Sequence, residues 1–220
     1  MRWLAVLHKD LLIGWRSRSQ TFAVFFFGAA ALLLFSFGIG PNAEALRTFA
    51  GGFLWLGLLL SSTLSLAESF RTEMEGKALE GLLLLPVDGK AIFYAKAVSN
   101  WLQLTLLGLA LIPVMVVLYD ADASRIFSLA GVIALGAAGL SAPGTLYAAM
   151  AAQAKAQQVL LPLLLFPVIV PALLSAVRAT TLLLEGDPMG QAGSWALLLL
   201  AFDAIFWSLC GLLFGIAVEE

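Results

Sequence analysis

Residues 195–218 read WALLLLAFDAIFWSLCGLLFGIAV, an apolar stretch interrupted by one charged side chain, Asp203. A hydrocarbon core of about 30 Å is crossed by roughly 20 apolar residues at a helical rise of about 1.5 Å each. The stretch is long enough to span it. Working back toward the start of the chain, five more segments meet the same test: 21–39, 49–67, 98–118, 126–150 and 159–177. Composition agrees with six spans. Hydrophobic residues make up 61% and charged residues 12% of the 220 positions, with a mean hydropathy of +0.98. A soluble chain carries about 45–50% and about 25%, so too little polar surface is present to clothe a water-soluble globule. Disorder is excluded too, because it requires low hydrophobicity and high charge. The expected fold is a single all-α polytopic membrane domain over 1–220 with six transmembrane helices.

The polar residues exclude several functions. A net charge of −2 without a basic block leaves nucleic acid no electrostatic footprint. The single Cys210 and single His8 rule out a disulfide framework, a cysteine metal cluster and any site needing two histidines. No G-x-x-x-x-G-K-[ST] phosphate loop and no H-E-x-x-H motif occur. Ser141, in LSAPG, has no histidine partner within a span and reads as a packing or kink residue. We expect no catalytic residues, no metal and no enzymatic activity from this chain by itself.

Lys and Arg set the orientation. Arg2, Lys9, Arg16, Arg18, Arg71, Lys77, Lys90, Lys96 and Lys155 fall on one side, and Arg47, Arg125 and Arg178 on the other. The richer side is cytoplasmic by this rule, which places both termini there. The acids Asp120, Asp122, Glu185 and Asp187 then face outward. The first apolar run exceeds the 7–15 residues of a signal peptide, so it is expected to stay as a span.

Two further segments are amphipathic. In 1–19, Trp3, Leu4, Leu7, Leu11 and Trp15 share one helical stripe, with Arg2, Lys9 and Arg16 opposite. That pattern predicts an interfacial helix lying among anionic headgroups. The connector 68–90 reads ESFRTEMEGKALEGLLLLPVDGK. Phe70, Met74 and Ala78 are spaced by four and lead into Leu82, Glu73 and Lys77 form a favourably ordered i,i+4 pair, and Pro86 stops the helix. A short acidic helix on the cytoplasmic side is expected here. Leu79 and Leu82 to Leu85 need a cover, either lipid or a partner protein.

Within the spans, Asp203 is the only carboxylate, and an Asp at a helix centre costs about 2.5–3.5 kcal/mol on insertion scales. It should face the bundle interior or water, either in a conduction path or at a subunit contact, or else in a solvated pocket near the outer leaflet. Pro162, Pro167 and Pro171 each remove a backbone donor and tend to kink the fifth span. Gly131, Gly136, Ala137, Ala138, Gly139, Ala142 and Gly144 line the fourth span, and Gly211 and Gly215 form a GxxxG in the sixth. Small residues permit close helix approach, within one chain or between two copies.

The run 61–86, SSTLSLAESFRTEMEGKALEGLLLLP, together with SAPG at 141–144 and LLPLLLFPVIVPALLSAV at 160–177, resembles the CcmB family, the haem-exporter permeases of the cytochrome c maturation system. The likeness covers the whole chain, and 68–86 is its most specific part. Lys77-Ala78 departs from the family pattern, where Gly-Ser is expected. The resemblance implies the membrane subunit of an ABC-2-type transporter in the bacterial inner membrane. It would work as a dimer with two copies of a separate ATPase, which carries the ATP and Mg. It further implies that 68–90 is the coupling segment seated on that ATPase. Glu68, Phe70, Arg71, Glu80 and Leu82 stand at matching positions, with Glu73 and Leu83 beside them. A haem-handling membrane subunit and a periplasmic haem chaperone are the other implied partners, and haem is cargo of the complex. The residues give iron no ligand set: His8 lies on the leader, and Met115, Tyr119, Met150 and Cys210 are scattered. No cofactor bound by this chain is expected. Two alternatives stay open, a non-transporting scaffold of a haem-lyase complex and a secondary transporter using Asp203.

Overall fold

A computed structural model describes residues 18–75, 89–152 and 157–219. Among these residues there are six helices and no strands. They are α1 (Arg18–Ile39), α2 (Ala43–Glu75), α3 (Gly89–Tyr119), α4 (Ile126–Ala152), α5 (Gln157–Leu184) and α6 (Ala192–Glu219). Each is long and apolar enough to cross a membrane. The expected interfacial helix over 1–19 falls outside the described residues, apart from Arg18 and Ser19, which open α1.

The helices outrun the apolar segments that announce them. At 33 and 31 residues, α2 and α3 are about 50 and 46 Å long at 1.5 Å per residue, well beyond the hydrocarbon thickness. Hydropathy marks where a helix meets lipid, whereas backbone hydrogen bonding carries it on into the polar layer. Thus 68–75 is not part of a separate short helix, because it continues α2. Gly89 and Lys90 belong to the start of α3. Residues 76–88, between the two, lie outside the described residues. Similarly, α5 passes Arg178 and runs to Leu184.

Local chemistry explains the turns. Gly40 takes a positive φ of 74° and ends α1, with its N–H bonded to the Ser36 carbonyl. Asn42 Oδ1 then accepts the Ala45 N–H at 3.1 Å and caps α2. At the end of α5, Gly186 (φ 90°) permits the Asp187 N–H to reach back to the Leu182 carbonyl at 2.8 Å. Asp187 turns forward at once. Its carboxylate accepts the N–H groups of Gln191 (2.7 Å) and Ala192 (3.2 Å), capping α6.

At the centre stands α4, packed against α2, α3, α5 and α6, while α1 rests on α2 and α3. Its small residues make this possible. A Cβ built on Gly136 would lie 2.1 Å from the Trp55 ring, one on Gly144 2.5 Å from a Leu66 methyl, and one on Gly139 3.0 Å from Asp203 Oδ1. Each glycine therefore receives a side chain from a different neighbour on α2 or α6. Trp55 is fully buried and donates its indole N–H to Thr180 Oγ1 at 2.8 Å, joining α2 to α5 across this glycine. Two more indoles anchor α4 through its carbonyls, Trp101 at Ala134 (2.8 Å) and Trp207 at Ala138 (3.1 Å).

Candidate functional site

The site is built where α2 leaves the bundle and α3 enters it. Lys96 lies two turns into α3, and its long side chain is only 2% exposed. Lysines are almost never fully buried without a partner. Here Nζ donates to the Ser69 carbonyl of α2 at 3.4 Å, so the last turns of α2 are bonded to the first turns of α3. Ser99, Asn100 and Gln103 continue the same face of α3 at helical spacing. Asn100 Nδ2 donates to Thr145 Oγ1 on α4 at 2.9 Å, and Gln103 Nε2 donates to Ser99 Oγ at 3.5 Å. This buried polar ladder fixes α3 against α2 and α4 at the end of the bundle that carries the connector.

On its other side α3 is seated on α6. A Cβ on Gly89 would lie 3.4 Å from the Gly215 Cα, and one on Gly211 would lie 2.5 Å from the Tyr94 hydroxyl. Tyr94 stacks on Trp207 with ring centroids 6.4 Å apart and donates its hydroxyl to the Trp207 carbonyl at 3.3 Å. The GxxxG pair of the sixth span thus receives α3 of the same chain.

The residues expected from sequence do not fall in one place. Glu68 lies half-buried on α2. Phe70, Arg71 and Glu73 stand on the final helical turns of α2, with side chains outside the described ones. Glu80, Leu82 and Leu83 fall in 76–88, outside the described residues altogether. Asp203 is elsewhere, at mid-height on α6, 7% exposed and against Gly139 of α4. Pro162, Pro167 and Pro171 all lie inside α5, which remains one helix through them.

Sequence reasoning missed Lys96 as a site residue and counted it as a topology charge. The signal was available, since 96, 99, 100 and 103 form a polar stripe on an otherwise apolar helix. At the opposite end, Arg47 of α2 pairs with Asp120 just past α3. They line a cleft of about 450 Å³ with Thr48, Ala121, Asp122 and Glu185. Asp120 has a positive φ of 50° and closes α3, and Asp122 accepts the Ser124 N–H at 2.9 Å in a local turn.

No group of three His, Cys, Asp or Glu that could hold a metal ion comes together among the described residues. What the arrangement offers is mechanical: two long helices, cross-bonded at their ends, flank one short connector. The fold therefore defines a polytopic helical membrane protein built around a central glycine-rich helix. The chain belongs to the CcmB protein family, whose model matches residues 1–219. It is similar to Heme exporter protein B of Rhodobacter capsulatus, 34% identical over 170 residues, which covers 77% of this chain and 78% of that protein. Similarity extends to Heme exporter protein B of Paracoccus denitrificans, 33% identical over 187 residues (84% and 85% of the two chains). The protein of that name from Pseudomonas aeruginosa is 30% identical over 169 residues (77% and 76%).

Proposed function

We propose that the chain is the membrane permease component of an ATP-driven haem-export complex serving cytochrome c maturation in the bacterial inner membrane. ATP is hydrolysed on a separate ATPase subunit, present in two copies, and this chain supplies the path for force and no catalysis. It pairs with a second copy of itself and works beside a haem-handling membrane subunit and a periplasmic haem chaperone. Both termini and the connector face the cytoplasm, in keeping with the excess of Lys and Arg on that side. Haem is cargo of the complex, not a resident cofactor of this chain.

The observation that carries the reading is the bond from Lys96 to Ser69. Because α2 and α3 are tied where they emerge, displacement of the connector between Glu75 and Gly89 moves both helices together and is not lost in bending a loop. A push on 76–88 reaches α4 through Asn100 and Thr145 and through Leu66 on Gly144. The residues of this chain that meet the ATPase are Glu68, Phe70, Arg71, Glu73, Glu80, Leu82 and Leu83.

Co-purification from membranes tests this. Glu80→Lys and Leu82→Asp each reverse the character of one contact, and the ATPase subunit is expected to be lost from both variants while the chain still inserts. An ATPase that stays bound, with cytochrome c yield unchanged in both variants, would refute the coupling role.

A further inference from the structure

Asp203 sits in the packed stripe of α6, one turn before Trp207, whose indole bonds the Ala138 carbonyl of α4. The carboxyl is 7% exposed, and neither oxygen has a hydrogen-bond partner among the described residues. It reaches the place where α4, α5 and α6 meet. A Cβ on Gly139 would lie 3.0 Å from Oδ1, 3.3 Å from the Ala172 Cβ and 3.6 Å from a Phe202 ring carbon. The helices packed against α6 carry Lys90, Tyr94, Lys96 and Tyr119 on α3, Tyr147 on α4 and Arg178 on α5. None of them bonds the carboxyl. Tyr94 donates to Trp207, Lys96 to Ser69 and Tyr119 to Leu32, and Arg178 is exposed.

A metal cation at this place would require several oxygen ligands at about 2.0–2.6 Å, and among the described residues Asp203 belongs to no group of three His, Cys, Asp or Glu that could hold one. A proton needs only one acceptor. The residue against which the carboxyl packs has a carbonyl left without its usual helical donor, because Pro143 lacks the N–H that would have bonded the Gly139 carbonyl. Gly139 also admits the carboxyl to that backbone, which a side chain there would prevent.

We propose that Asp203 is a proton-binding site at the junction of α4, α5 and α6, occupied as the neutral carboxylic acid in the packed bundle. Removing the proton would leave an unpaired anion among apolar groups, so the proton leaves only when these helices part enough to admit water. Pro143 on α4 and Pro171 on α5 each interrupt the backbone ladder of a helix that meets α6 at the site.

Infrared spectroscopy of the full chain in lipid nanodiscs at neutral pH tests the proposal, using aspartate labelled with 13C at the side-chain carboxyl. The expected result is a protonated-carboxyl band that carries the isotope shift and is lost in Asp203→Asn. Should that variant fail to fold, the wild-type chain is treated with dicyclohexylcarbodiimide. This lipid-soluble reagent adds a protonated carboxyl across its C=N bond, with the acid proton passing to nitrogen. Peptide mass spectrometry is then expected to find the adduct on Asp203. Aspartate bands of the ionised form only, or a protonated band that persists in Asp203→Asn, overturn the proposal. So does an adduct confined to other acids.

Discussion

The indole of Trp55 lies directly on Gly136, so close that a methyl group at that glycine would stand 2.1 Å from the ring. The same indole donates its N–H to Thr180 at 2.8 Å. One aromatic side chain thereby joins α2, α4 and α5 in the bundle core, and the contact exists because residue 136 has no side chain. Gly136→Ala is expected to destabilise the folded chain by about 1–3 kcal/mol, the usual cost of overpacking. Gly131→Ala faces open space and should leave stability unchanged or slightly raised. Thermal unfolding of the two variants in detergent, followed by tryptophan fluorescence, distinguishes them.

Gly89 and Gly215 provide a second test of packing. A Cβ on Gly89 would end 3.4 Å from the Gly215 Cα of the same chain, whereas one on Gly215 meets nothing within 4 Å. Paired cysteines there, in a background with Cys210→Ala, should therefore be joined within one chain by a short thiol-to-thiol crosslinker. The product should run as a monomer on a non-reducing gel. Predominant crosslinked dimers would place the GxxxG face between two copies instead.

Lys96 is expected to behave as a transmission residue. Lys96→Met removes a hydrogen bond to a charged group, a class worth roughly 1.5–3 kcal/mol, and the 3.4 Å separation places it toward the lower end. The variant chain should still insert and still bind its ATPase, but cytochrome c yield should fall. Lys96→Arg, which can still donate, should recover part of it. Loss of ATPase binding in Lys96→Met would instead assign the residue to assembly.

Asp187 combines a positive φ of 43° with two hydrogen bonds to the start of α6. Asp187→Ala loses the cap and keeps the strained backbone, for an expected loss of about 1 kcal/mol. Asp187→Asn retains a side-chain acceptor and tolerance of that backbone region, so it should lie close to wild type. The comparison is made by thermal unfolding.

How much of this was legible in the sequence follows from what hydropathy measures. Six spans could be found because each must offer about 20 apolar residues to lipid, and 126–150 falls within a helix that extends only to Ala152. The ends of α2, α3 and α5 could not, because Glu68 to Glu75, Lys90 to Ala97 and Arg178 to Leu184 are helical without being uniformly apolar. Its cost in lipid turned Asp203 away from the acyl chains but left the bundle interior and a water-filled site equally open. Only the packing places it against Gly139. The partner of each glycine could not be read either, since small residues permit close approach without naming the helix that makes it. Lys96 was hidden for a related reason. A positive charge near a span end satisfies the topology rule equally well in solvent or in a buried ladder.

If the connector between α2 and α3 is the surface on which an ATPase acts, position 82 must touch that ATPase in the working complex. A photoreactive amino acid placed there, in inner-membrane vesicles containing the intact complex, reports the contact. The expected product is a crosslink joining this chain to the ATPase subunit, formed from the cytoplasmic face and changed in yield when ATP hydrolysis is trapped. Crosslinks to lipid alone, or to a periplasmic component, would contradict the coupling role.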